Sequence, residues 1–144
     1  MRIWRISNHA NLSGTGGKFS EGRWNYLGTE IVYCSDHPST CLLELLVRFD
    51  PDTTPENYHL LEILVPEDVG AEQPELKSDW RDDLQYTRNL WEAFCSNRRH
   101  PVMQVPSAIM PQANHFLLNP QHPDHFKIGI TASYDNLLDE RFYG

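Results

Sequence analysis

The sequence predicts an α+β fold, a single compact domain of short, mostly antiparallel strands with a few helices. Three observations carry this. One domain is the natural expectation for 144 residues. Short β-branched and aromatic runs recur between Gly, Pro and Asn turn signals. The helical stretches between them do not alternate strictly with strands, as a parallel βαβ sheet would require.

In chain order, Met1 to Ile6 reads as a first strand. Ser7 to Glu21 reads as loop, because Ser13-Gly14-Thr15-Gly16-Gly17 is a dense turn signal. Arg23-Trp24-Asn25 leads to a turn at Gly28, and Ile31 to Cys34 is a short strand. Ser35-Asp36-His37-Pro38-Ser39 combines cap-type residues with an early proline, so a helix is predicted from Ser39 to Phe49, ended by Asp50-Pro51. Cys41, Leu42, Leu45, Leu46 and Phe49 form its apolar stripe at helical spacing. Tyr58 to Val65 is a strand bounded by Pro55 and Pro66, and Glu67 to Lys77 an acidic loop. Asp83 to Asn97 is a second helix with Leu84, Leu90, Trp91 and Phe94 as its core face. Val102 to Val105, Phe116 to Leu118 and Phe126 to Ile130 are short strands separated by proline-containing turns. No repeat, low-complexity tract or linker divides residues 1–144.

Charge narrows the function classes. Lys and Arg total 12 against 20 Asp and Glu, a formal charge of −8. Proteins that grip nucleic acid need a basic face to displace counterions from phosphates, so direct binding to DNA or RNA is not expected. Arg2, Arg5, Lys18 and Arg23 fall in a stretch with few acids, which leaves room for a local pocket for a small phosphate compound. The three cysteines, Cys34, Cys41 and Cys95, have no CxxC spacing and suggest neither a disulfide framework nor a zinc site. A reducing cytoplasm is the expected location. No apolar run suits a signal peptide, and none reaches the ~18–20 residues of a membrane span.

Standard nucleotide motifs fail on spacing. Gly17-Lys18 has Leu12 where a P-loop needs its first Gly and Phe19 where it needs Ser or Thr; Phe19 also stands where GxGxxG needs its third Gly. His9, His37, His59, His100, His115 and the pair in His122-Pro-Asp-His125 read as surface or turn histidines, and no metal site is expected. There is no G-x-S-x-G elbow for a nucleophilic serine.

Four positions invite chemistry: Arg23, Tyr33, Glu44 and Ser107. Each also has a plain structural reading. Glu44 falls beside the apolar helix stripe, on the same edge as Arg48, as an i,i+4 ion pair would. Arg23 sits between Gly22 and Trp24, where a stacked structural residue fits; its planar fork equally suits phosphate. Tyr33 reads as core and Ser107 as a turn hydroxyl.

Taken together, the segments resemble the RES-domain family. The resemblance rests on strand one with Arg5, Gly22-Arg23-Trp24-Asn25, Gly28 with Val32-Tyr33, and Leu42-Leu43-Glu44-Leu45-Leu46. Downstream it rests on Val105-Pro106-Ser107-Ala108, Asn114 with Leu117-Leu118-Asn119-Pro120, His122-Pro123, and Asp139-Glu140-Arg141-Phe142. Arg23, Glu44 and Ser107 match the Arg, Glu and Ser that name the family. The sequence departs from it in having Glu21-Gly22 where the family has a Gly-Gly pair.

The resemblance implies an ADP-ribosyltransferase-like fold and a toxin of a type II toxin–antitoxin pair that depletes NAD⁺ by cleaving the nicotinamide–ribose bond. It implies Glu44, Arg23 and Ser107 as catalytic, with Arg23, Tyr33, Ser107, Arg5 and Asn119 binding substrate. No cofactor beyond NAD⁺ as substrate is implied. The expected partners are NAD⁺ and a cognate DNA-binding, Xre-like helix-turn-helix antitoxin, with a homodimer left open and no membrane. Two alternatives remain at this level: ADP-ribosyl transfer to a protein or small-molecule acceptor, and a non-catalytic binding module.

Overall fold

The computed structural model describes residues 1–48 and 58–135, together with 139 and 141. Seven strands are present: β1 (Arg2–Ser7), β2 (Val32–Ser35), β3 (His59–Leu64), β4 (Ala71–Glu72), β5 (Val102–Pro106), β6 (Asn114–Leu118) and β7 (Gly129–Tyr134). Two α-helices, α1 (Pro38–Val47) and α2 (Leu84–Asn97), and three short 3₁₀ turns complete the described elements. The strands form one sheet in the order β4-β5-β6-β2-β1-β3-β7. All neighbours are antiparallel except β4 and β5. The α+β expectation therefore holds.

Strand alternation builds two cores. Side chains of successive strand residues point to opposite sheet faces. Ile3, Val32, Cys34, Phe116 and Leu118 pack on one face with Leu61 and Ile63. Ile31, Met103, Val105 and Leu117 pack on the other, under Trp91 and Phe94 of α2 and with Trp24 and Trp80. The second face carries the site.

Both helix starts follow from their capping residues. At α1, His37 Nδ1 accepts from the Ser39 amide and Pro38 stands in the first turn, where its missing N–H costs nothing. Asp36 then ties the helix to the sheet: Oδ1 accepts from Thr40 Oγ1 at 2.8 Å and Oδ2 from the Asn114 amide at 2.9 Å. At α2, Asp83 caps the Tyr86 amide at 3.0 Å. The helix ends where Arg98 adopts a left-handed conformation, φ 55°.

Several elements differ from expectation. The acidic loop contains β4, whose pairing with β5 is invisible in a two-residue pattern. The last strand begins at Gly129, because His125–Lys127 forms a 3₁₀ turn. Phe126 lies in that turn, 79% exposed, so its apolar ring gives a strand signal with no core behind it. On α2, Thr87 rather than Leu84 is buried with Trp91 and Phe94. On α1 only Thr40 and Cys41 are fully buried; Leu42, Leu45 and Leu46 are half-buried, and Phe49 lies outside the described residues.

Candidate active site

The second face of the sheet opens into a cleft of about 830 Å³, within the size range of small-molecule sites. Its walls come from α1, β2, the loop before β2, and the start of α2. Arg23, Tyr33 and Glu44 all line it.

Glu44 is placed by two later segments. Its Oε1 accepts from Ser107 Oγ at 3.1 Å, just past the end of β5. The same oxygen lies 2.7 Å from Nε2 of His115 on β6. Ser107 is fully buried and is itself fixed, since its Oγ accepts from the Ile109 and Met110 amides at 3.2 and 3.1 Å. The plain turn-hydroxyl reading of Ser107 is therefore true as well, alongside its contact with Glu44. The plain reading of Glu44 is not: Arg48 acts on it only as a nearby charge, and no ion pair between the two is among the described contacts.

The Glu44 side chain is 25% exposed. Burial pushes its pKa up. The hydrogen bond and charge of His115, the Ser107 hydroxyl and the charge of Arg48 together outweigh burial, so Glu44 titrates below the usual carboxylate range. A carboxyl group with a depressed folded pKa stabilises the fold above its unfolded value, 4.5. That contribution fades as pH falls through the lower folded value. Glu44→Gln is therefore expected to flatten the loss of stability below about pH 4.5, read as the denaturation midpoint against pH. An acid limb identical to the parent's would contradict this.

On the opposite wall a polar clamp shapes the loop of residues 20–26. Asn25 is wholly buried. Its Oδ1 accepts from the Gly22 amide at 2.9 Å and the Tyr33 hydroxyl at 2.6 Å, while Nδ2 donates to the Ser20 and Tyr26 carbonyls at 3.1 Å each. The Tyr33 hydroxyl also accepts from the Trp24 amide at 3.1 Å. Burial pushes the Tyr33 phenol up to about 12, so it stays protonated as a donor. Gly22 is required by this clamp, because a Cβ there would lie 2.5 Å from the Tyr33 oxygen. Asn25→Ala leaves two buried donors without an acceptor and is expected to cost about 2–4 kcal/mol. Urea unfolding measures it: a midpoint unchanged within error would refute the clamp.

Helix α2 braces the same loop. Thr87 Oγ1 donates to the Arg23 carbonyl at 2.6 Å, and Arg88 Nε to the Gly22 carbonyl at 2.9 Å. Arg23 itself lies over the Trp80 ring at 5.9 Å and donates through Nη1 to the Arg81 carbonyl at 2.8 Å. The stacked structural role is thus real, and it uses one of five guanidinium donors.

Three sequence candidates do not line the cleft: Ser107, Arg5 and Asn119, and Ser107 is fully buried and reaches the site through Glu44 rather than by contact with substrate. Arg5 does not line the cleft: Ile6 does, and alternation turns Arg5 to the face of Ile3, where it donates to Ser7 Oγ at 3.3 Å. Asn119 is buried beyond the end of β6. Its amide donates to the Pro101 carbonyl at 2.8 Å and its Oδ1 caps the Gln121 amide at 3.0 Å; it borders a separate, smaller hollow. His115, read from the sequence as a surface or turn histidine, is instead buried on β6 and lines the cleft, as does Arg88, which the sequence reading did not single out, beside Glu21 at 3.7 Å; Asn25 shapes the wall without lining it. For His115 a signal existed, since it shares strand parity with Leu117. Among the described residues no group of three or more His, Cys, Asp or Glu is placed to hold a metal ion, and no helix is long and apolar enough to cross a membrane.

Comparison with known proteins bears on this geometry. The RES domain matches residues 2–139. The chain belongs to the RES-domain family. It is 40% identical over 126 residues to "Toxin Res" of Pseudomonas putida, covering 85% of this chain and 87% of that protein. It is 32% identical over 135 residues to "Prs ADP-ribosylating toxin" of a Sphingobium species, covering 85% and 84%. In fold, the RES domain is similar to a chain of the M. tuberculosis MbcT-MbcA toxin–antitoxin complex, with TM-score 0.73 at 21% identity over 99% of this chain and 86% of that one.

Proposed function

We propose that this RES domain is the toxin of a toxin–antitoxin pair and that it breaks the nicotinamide–ribose bond of NAD⁺. One observation carries the reading: a single half-buried carboxylate, Glu44, held at its Oε1 in a cleft whose other walls present Arg23 and Tyr33. The names of the Pseudomonas and Sphingobium relatives support it.

The chemistry suits this donor set. When the bond breaks, its electron pair passes to the pyridinium nitrogen and nicotinamide leaves neutral, so no general acid is needed. The ribose carbon becomes cationic, as in glycoside hydrolysis. A carboxylate about 4 Å away, at an effective dielectric near 20, stabilises that charge by about 4 kcal/mol. Water then adds to the carbon and releases a proton, giving ADP-ribose. Arg23 holds the pyrophosphate through charge-assisted hydrogen bonds, with Arg88 a second cation in the same cleft. The Tyr33 ring borders the cleft and stacks on the nicotinamide cation, a contact of about 0.5–2 kcal/mol. The test is nicotinamide release from NAD⁺ by the purified chain. Absence of release, with NAD⁺ unchanged in cells that express it, would overturn the proposal.

A second reading, transfer of ADP-ribose to a protein, is favoured by the name of the Sphingobium relative. It uses the same cleft and differs only in the acceptor. Labelled NAD⁺ separates the two: free ADP-ribose means water is the acceptor, and label on a protein means transfer. The acidic balance, −8 overall, suits a basic antitoxin partner.

A further inference from the structure

We propose that His115 is a positioning residue for Glu44, holding one carboxylate oxygen by a directed hydrogen bond so that the other faces the cleft; this rests on the function proposed above. The observation is a linear relay that crosses three elements. Ser35 on β2 and His115 on β6 are direct cross-strand partners. Ser35 Oγ lies 2.9 Å from His115 Nδ1, and His115 Nε2 lies 2.7 Å from Glu44 Oε1 on α1. His115 and Ser35 are both buried.

One proton in this relay is fixed by chemistry. An ionised carboxylate only accepts hydrogen bonds. The His115 nitrogen facing it therefore carries the proton. The other ring nitrogen meets the Ser35 hydroxyl, which can donate or accept and so holds the ring in place. Ser35 in turn is anchored in the sheet interior, so the ring has one permitted orientation.

Glu44 needs this restraint. Its side chain has three rotatable bonds, and its helix packs with half-buried leucines rather than a fully closed core. Ser107 Oγ reaches the same Oε1 as His115. Two donors on one oxygen pin it as a pivot. Among the described residues Oε2 makes no hydrogen bond, which leaves that oxygen for the cleft. A carboxylate that is free to swing loses transition-state stabilisation, because displacement of about 1 Å is enough to cost about 10²-fold in rate. The imidazole borders the cleft, but both its ring nitrogens are taken, by Ser35 and by Glu44, so it acts through Glu44.

The discriminating comparison is His115→Gln against His115→Leu, with nicotinamide release measured over a range of NAD⁺. Gln places an amide nitrogen close to where Nε2 stands and restores the donor; Leu fills the space without one. The expected result is a kcat loss of about 10–100-fold for His115→Leu with KM within about twofold, and recovery of most of that kcat in His115→Gln. Equal losses in both, or loss confined to KM, would overturn the positioning role. Unfolding midpoints of the two variants, measured alongside, show whether a shared loss is a folding defect; if both fold like the parent and neither loses kcat, the role is equally refuted. Failure of the underlying reading looks different, since the parent chain itself would then release no nicotinamide.

Discussion

Glu44→Gln is expected to lower kcat for nicotinamide release by about 10³-fold while NAD⁺ affinity changes little. The amide oxygen of Gln can still accept from Ser107 Oγ and His115 Nε2, which meet the same oxygen of Glu44 at 3.1 and 2.7 Å. Shape and hydrogen bonding are therefore kept, and only charge is removed. The attraction lost is about 4 kcal/mol at 4 Å and an effective dielectric near 20. At 1.36 kcal/mol per decade that is about three decades of rate. Substrate affinity is spared because the ground-state ribose carries less positive charge than the transition state, so the interaction grows only as the bond breaks. Steady-state release and equilibrium binding of NAD⁺ to the same preparation give both quantities. Turnover that survives the substitution would remove Glu44 from the chemistry and with it the central claim about the cleft.

Arg23→Ala is expected to lower kcat/KM by about 10²-fold, with a large share of the loss in KM. A charge-assisted hydrogen bond contributes about 1.5–3 kcal/mol, and a fork on a pyrophosphate makes two. Some of that is offset by Arg88, which lies in the same cleft. The informative control is Arg23→Lys. Lysine keeps the charge but not the planar fork that spans the Trp80 ring and the Arg81 carbonyl. It should recover only a minor part of the affinity. Full recovery by Lys would mean that charge alone matters; an unchanged KM in Arg23→Ala would leave Arg23 as loop scaffolding only.

Much of the architecture was legible in local pattern. β2 and β6 follow from β-branched and aromatic runs, and the starts of both helices follow from Asp36, His37, Pro38 and Asp83. Where pattern misled, the reason is tertiary. Phe126 has strand-forming character, yet its ring finds no core and the chain turns there instead. Leu84 has the helical phase of a core residue but points to the cleft mouth.

The site divides the same way. Glu44 and Ser107 stand out as motif residues in the RES resemblance, but their contact spans 63 residues and no local signal predicts it. His115 is hidden in the sequence because the strand signal starts at Phe116, two residues after the strand itself, so the alternation that turns His115 inward with Leu117 is lost. Asn25 was visible within Gly-Arg-Trp-Asn, while its role depends on carbonyls and a hydroxyl that only the folded loop assembles. Asn119 rests on the resemblance alone and Arg5 on the resemblance and the acid-poor N-terminal stretch, and a turn amide and strand parity place them elsewhere.

Glu44 is made early in synthesis, but its two anchors come 63 and 71 residues later. A nascent chain that has emerged only as far as α1 carries the acid without anything to aim it. Contacts of such sequence separation form late, after long loops close, and domains settle as units once their full length is out. A chain that ends before residue 115 therefore lacks the strand and the hydrogen bond that fix Glu44, and the carboxylate is held only once β6 has joined the sheet.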